Sequence, residues 1–260
     1  MAMPVETDEV YSERYVVFLD ILGFSDIVRR SMTSPAQAKE LIDILEHIAN
    51  AGKQFGDQND LQQDDFRAQS FSDCIVLSEN VSPVGLFHLL ASTMLLSFNL
   101  LQKGIFARGG VAKGKLHHSE KVVFGPAMLE AYRLESTIAR YPRILVDRSV
   151  HLDCKSPEFV ALQGTVTAYP QLKFDHDGPP FLDVLCIVRN VMLTPMIESE
   201  VADCRNAIQT ALDASVYEPK HYEKLRWLTI YWNSVAMEKG AAVVEFPQLA
   251  DLGNKADSKN

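Results

Sequence analysis

The 260-residue chain carries a formal net charge of −9, with 34 acidic against 25 basic side chains, which argues against a general nucleic-acid or membrane-surface binder with a basic face. An anionic substrate must then be held by local cations or by metal ions. The 4 cysteines are widely spaced, with no C-x-x-C pair and no clustered histidines, so neither a disulfide framework nor a structural zinc site is expected.

Residues 1–9 are acidic and lack the basic and apolar regions of a secretory signal, so a cytoplasmic location is expected. Residues 1–13 read as a loose leader and 15–19 as the first strand. The run Phe18-Leu19-Asp20-Ile21-Leu22-Gly23-Phe24-Ser25 then sets one carboxylate in apolar surroundings. An ionised Asp20 there needs a positive partner, unless it simply caps the turn that follows. Ser34-Pro35 starts a helix, with Leu41, Ile42, Leu45 and Ile48 at helical spacing. Residues 52–65 form a polar loop leading into two strand-like runs, 67–71 and 74–77, split by Ser72-Asp73. Ser-Asp is ordinary turn chemistry. Paired with Asp20 on a neighbouring strand, however, Asp73 completes a site for hard divalent cations.

Ser82-Pro83 opens a second helix that runs to Gly104. Its wide apolar coverage implies deep burial or a subunit contact, and His88, Ser92, Asn99 and Gln102 interrupt any membrane span. Residues 105–116 read as a strand pair or one long bent strand. Gly125-Pro126 opens a helix to about residue 139, followed by a strand at 143–146. This order predicts an α+β sandwich, with helices covering one face of an antiparallel-rich sheet. Beyond residue 150, 181–185 is a strand and 198–240 is helix-rich. Trp227, Leu228, Ile230, Tyr231 and Trp232 there read as packing residues.

Four motifs in order resemble the class III nucleotide cyclases. They are the Asp20 strand, the Ser72-Asp73 turn, Ala107-Arg108-Gly109-Gly110-Val111-Ala112-Lys113-Gly114, and the Gly125-led helix that ends in Arg133-Leu134-Glu135. Together they span residues 15–147. Within that family, the Leu-Asp-Ile-Leu-Gly-Phe-Ser variant, the Phe-Ser-Asp turn and the helical tail are most similar to the pyrimidine nucleotide cyclases of bacterial Pycsar antiphage systems.

The resemblance implies a ferredoxin-like cyclase catalytic domain over 14–190, a helical extension over 191–250 and a polar tail over 251–260. It implies a cytoplasmic homodimer with shared active sites that converts UTP or CTP to the 3′,5′-cyclic monophosphate and pyrophosphate. The product would activate a dedicated effector; no nucleic-acid or membrane partner is implied. Two divalent cations, Mn²⁺ or Mg²⁺, would be held by Asp20, Asp73 and the carbonyl of Ile21. Arg133 would meet the transition state across the dimer interface; read alone, it is a surface residue paired with Glu130 or Glu135. Phe24, Ser25, Gln69, Lys113, Val122 and Lys173 are the substrate-binding candidates. Three departures stand out: the family's asparagine is Leu129, its base-reading lysine aligns with Gln69, and that lysine's aspartate partner aligns with Val122. The lost pair disfavours a purine substrate. A catalytically silent cyclase-like module and a purine cyclase remain the alternatives.

Residues 109–115 also satisfy the G-x-x-x-x-G-K pattern of a phosphate loop, but Leu116 stands where a hydroxyl should meet magnesium. His117-His118 reads as a loop pair whose side chains diverge, and Cys74 as a strand-packing thiol.

Overall fold

The computed structural model describes residues 10–39, 41–43, 46, 65–164, 169–190 and 195–248. Its N-terminal half comprises strand β1 (Ser12–Ile21), helix α1 (Phe24–Ser31), the hairpin β2 (Arg67–Phe71) and β3 (Cys74–Asn80), helix α2 (Pro83–Gln102) and strand β4 (Ala107–His118). Strand β5 (Val123–Phe124), helix α3 (Pro126–Arg133), a π turn (Leu134–Ile138) and strand β6 (Ile144–Val146) follow. The chain continues through α4 (Arg148–Asp153), α5 (Pro157–Gln163), β7 (Leu172–Lys173), β8 (Phe181–Leu182), α6 (Cys186–Asn190), α7 (Pro195–Ala214) and α8 (Pro219–Lys239). The helix expected after Ser34-Pro35 is present at residues 35–39 and 41–43. Leu45, Ile48, the loop at 52–64, residues 1–9 and the tail at 251–260 lie outside the described residues.

The strands form one sheet in the order β2-β3-β1-β4-β6-β8-β7, with β5 paired to β4. Among the paired strands β4 and β6 alone are parallel, so the architecture is the expected α+β fold with an antiparallel-rich sheet. The region expected at 105–116 resolves as one 12-residue strand, β4, over Ala107–His118. The first strand begins at Ser12, inside the segment expected to be loose.

The expectation that helices cover one face is corrected. Tyr15, Val17, Leu19 and Ile21 of β1 join the core built with α2, whereas Val16 and Phe18 face the other way, onto Ala127 and Ala131 of α3. Because β1 is central and covered on both sides, its apolar residues run on without alternation. Helix α2 is long and apolar enough to cross a membrane, but most of it is buried inside the fold, where a core helix belongs.

The helix begun at Gly125 passes into the π turn after Arg133, with the Ala139 N–H donating to the Leu134 carbonyl at 2.8 Å. Helices α7 and α8 share the α2 core through Val201, Ile208, Leu225 and Trp232. Arg143, 1% exposed, fastens α8 to the sheet. It pairs with Asp175 (3.2 Å) and Asp177 (2.5 Å) and lies against the faces of Tyr141, Phe181 and Trp227. Trp227 Nε1 donates to Asp175, while Asp183 receives both Tyr231 and Arg189. The C-terminal aromatics are packing residues, as their composition suggested.

His117 and His118 end β4 rather than lying in a loop, because both pair with β5. Their side chains diverge: His117 Nδ1 lies 2.9 Å from the Val10 carbonyl, and His118 Nδ1 is 2.7 Å from Ser78 Oγ. Arg14 Nε donates to the same hydroxyl at 3.0 Å, which leaves the hydroxyl proton free to point at His118. Burial first, then Arg14 and Arg67, pushes the imidazole pKa down from 6.5 to about 4. Between those values the unfolded chain takes up a proton that the fold refuses. Stability is therefore fully present above pH 6.5 and falls by roughly 3 kcal/mol as the pH drops toward 4. Urea unfolding at pH 7 and pH 4.5 measures this; His118→Gln should lose less stability on acidification, and an equal loss would refute the assignment.

Candidate active site

Asp20 lies next to last on β1, opposite Cys74 of β3 and Arg108 of β4 in the strand register. The three side chains therefore share one sheet face. This is the face carrying Val16 and Phe18, and it is roofed by α3. Asp73 arrives from the tight turn between β2 and β3, where Ser72 adopts φ 56°. That left-handed conformation favours glycine, yet serine holds it here. The Ile21 N–H donates to the Asp73 carbonyl at 2.9 Å, and the Leu22 N–H to the Phe106 carbonyl at 2.8 Å. These two bonds pin the hairpin turn and the start of β4 against the end of β1.

The result is a cluster in which carboxylate oxygens of Asp20 and Asp73 and the Cys74 sulfur all lie within 4.8 Å of one another. Burial, then Asp73 and Asp20, pushes the Cys74 thiol up to about 11. It stays protonated at neutral pH and packs at the strand start, leaving the carboxylates as the donors.

The positive partner that a buried Asp20 requires is Arg108. Its Nε lies 3.3 Å from Asp20 Oδ2 and 2.5 Å from Glu135 Oε1. The guanidinium thus bridges the two carboxylates, which lie on one side of it. Burial raises the Asp20 carboxyl above its ordinary range, Arg108 opposes the rise, and Asp73 adds to it. Glu135 is likewise raised by burial against Arg108, with Asp20 adding to the rise. Asp20 and Glu135 thus share one guanidinium, and Asp73 adds a third carboxylate beside Asp20. The Asp20–Asp73 pair, with Glu135 behind it, is an excess of hard oxygen donors that fits a divalent cation.

Phe24 packs against the core and Ser25 is exposed, both in the first turn of α1, which has no capping side chain. Gln69 pairs with Val76 in the register and shares the face of Phe18 and Asp20. Its Nε2 donates to the Lys121 carbonyl at 3.2 Å, beside Val122, while its buried Oε1 has no partner. The structure therefore brings Gln69 and the Val122 turn together. It places Lys113 elsewhere: opposite Tyr15, on the other sheet face, 2.8 Å from Asp153. Lys173 sits on β7 at the far edge of the sheet, over the Tyr231 ring.

Arg133 lies on the outer surface of α3 and is held by Glu130 through hydrogen bonds of 2.8 and 2.6 Å. No contact joins it to Asp20 or Asp73 within the chain. Leu129, one turn earlier, is 70% exposed.

Arg108 and Glu135 stand inside motifs legible in the sequence, yet no local signal linked them to Asp20.

No protein-family model and no curated protein matches the chain. Among solved structures it is similar to an adenylate/guanylate cyclase/hydrolase from Silicibacter pomeroyi, at 17% sequence identity and a TM-score of 0.40, over 66% of this chain and 94% of that one.

Proposed function

We propose that the protein is a metal-dependent pyrimidine nucleotide cyclase, acting as a homodimer on UTP in preference to CTP. The observation that carries this reading is the convergence of Asp20 and Asp73 within 4.8 Å at the end of β1. The resemblance in sequence motifs names the chemistry. In the reaction the ribose 3′-oxygen bonds to the α-phosphorus and the α–β bridging P–O bond breaks. Pyrophosphate leaves with the electron pair, and the hydroxyl proton passes to solvent.

Asp20, Asp73 and the Ile21 carbonyl would hold two cations, Mn²⁺ or Mg²⁺, whose chemistry is to acidify the hydroxyl and neutralise the polyphosphate. Arg108 and Glu135 orient Asp20 from beneath. Gln69 presents a free amide oxygen toward the base, where a lysine would otherwise demand a purine edge.

Arg133 serves the site of the second copy. Exposed apolar side chains at the end of β2, at β5 and on α3 suit that copy: Phe71 is 83% exposed, and Val122, Phe124, Leu129 and Tyr132 are also exposed. A patch of this kind marks an interaction face. The Glu130 pair must then open as the dimer forms. On the resemblance, the cyclic product is a second messenger that switches on an effector in antiphage defence.

The test is incubation with each of ATP, GTP, CTP and UTP plus manganese, with products identified by mass spectrometry. Cyclic UMP or cyclic CMP that disappears in Asp73→Ala is the expected result. Mixing inactive Asp73→Ala with inactive Arg133→Ala should restore part of the activity once heterodimers form. Cyclic AMP or GMP would replace the base assignment, and no product from any nucleotide would favour the silent module. Failure of mixing to rescue would remove Arg133 from a shared site.

A further inference from the structure

A cleft of about 760 Å³ opens between α1, the end of α2 and the C-terminal helices α7 and α8. A second hollow of about 190 Å³ adjoins it and shares Ile27, Arg30, Lys103 and Gly104. The larger is of ordinary ligand-binding size. None of Asp20, Asp73, Arg108 or Glu135 lines either hollow, so this place is separate from the carboxylate cluster. Its apolar lining comes from Ile27, Phe106 and Ala211, which pack against the core, and from buried Leu225.

The charged lining is uneven. Asp26 is engaged by Arg29 at 3.0 Å and Glu218 by His221 at 2.7 Å. Arg30, Lys103 and Lys224 line the cleft with no ion pair among the described residues, against one remaining acid, Asp203. Arg30 and Lys103 also line the smaller hollow, which puts both where the two hollows join. Arg30 stands in the last turn of α1 and Lys103 at the C-terminal cap of α2, positions where a cation offsets the helix dipole. That accounts for each charge singly, but not for two of them at one junction beside an apolar hollow.

We infer that the cleft binds a small amphipathic acid, its anionic group at Arg30 and Lys103 and its apolar body along Phe106, Ala211 and Leu225. The guanidinium and the ammonium supply charged donors to a carboxylate or phosphate, while the body leaves water against the apolar lining. Such a ligand joins α1 and α2 to the C-terminal helix pair and stabilises the folded state as it binds. The inference stands apart from the nucleotide cyclase reading.

The test is calorimetric titration of the full chain with decanoate and with decyl phosphate, both below micelle formation, beside decanol and inorganic phosphate. The acids should bind about 10-fold or more tightly than decanol or inorganic phosphate and raise the melting temperature; whichever acid binds tighter names the anionic group. Arg30→Met and Lys103→Met keep apolar stems, and each should weaken acid binding by about 10-fold while leaving decanol unchanged. Thr210→Trp, at an exposed α7 position lining the cleft, fills the hollow and should abolish binding with the ligand-free melting temperature kept. Lys220→Met, at the exposed start of α8 outside this lining, should change nothing.

Acid affinities within twofold of wild type in Thr210→Trp overturn the site, and unchanged affinities in both methionine variants overturn the place given to the anionic group. Wild-type protein that binds neither acid, or that binds decanol or inorganic phosphate as tightly, overturns the inference equally. No arm reads turnover, so a protein that makes no cyclic nucleotide leaves each of these outcomes with the same meaning.

Discussion

Asp20→Asn is expected to lower cyclase turnover by about 10³-fold or more while leaving the fold standing. Asparagine keeps the shape of the side chain but removes its charge and one anionic oxygen donor. A loss of that size corresponds to about 4 kcal/mol of transition-state stabilisation, within what metal-ion catalysis supplies. The fold should tolerate the change for two reasons. Arg108 retains Glu135 at 2.5 Å, so the guanidinium is not left unpaired. A buried carboxylate whose pKa burial has raised also costs stability, and the substitution relieves that cost. The melting temperature should thus stay within a few degrees of wild type. The rise in melting temperature that Mn²⁺ produces by binding the folded state should shrink or vanish. Wild-type turnover in Asp20→Asn, or an unchanged Mn²⁺ shift, would sink the assignment of Asp20 as a metal ligand.

Gly110→Ala carries the largest expected loss of stability. A methyl group there would sit 2.3 Å from the Ala131 carbonyl oxygen and 2.6 Å from Leu134 Cβ. The first obstacle is helix backbone, which cannot rotate aside, so α3 must lift from β4. Overpacking alone commonly costs 1–3 kcal/mol; with a backbone clash added, about 4 kcal/mol or more is expected. Gly164→Ala makes the control, since its new methyl would meet nothing closer than 3.5 Å and its φ is −72°. Urea unfolding compares the two. A lifted α3 also carries Glu135 away from Arg108, so any Gly110→Ala protein that folds should lose activity as well. Equal stability of the two variants would show that α3 does not lie this close to the sheet.

The close approach at Gly110 explains why one part of the site was legible in the sequence. The glycine stands in the motif at 107–114, and the helix that rests on it begins at Gly125-Pro126. Asp20 and Asp73 were legible for the same kind of reason. Each interrupts an apolar run or turn, and strand alternation fixes which face each occupies. The β2–β3 hairpin, the caps at Ser82 and the Pro126 helix start are likewise short-range signals.

Other features were not legible because they depend on chain segments brought together from far apart. Periodicity within β1 reports that both faces are apolar, but not that α2 covers one and α3 the other. Lys113 and Asp20 lie on opposite faces, a fact set by pairing Tyr15 with Lys113 and Asp20 with Arg108. A lysine in the sequence carries no mark of that pairing.

By itself the sequence determined the element types, the two aspartates and the motif order, all set by local patterns of polarity and backbone preference. Only the tertiary structure decided that Arg108 and Glu135 pair around Asp20 and that Arg133 faces outward. Those decisions belong to packing, which selects among distant side chains by the space and charge they meet when the sheet and helices close on one core.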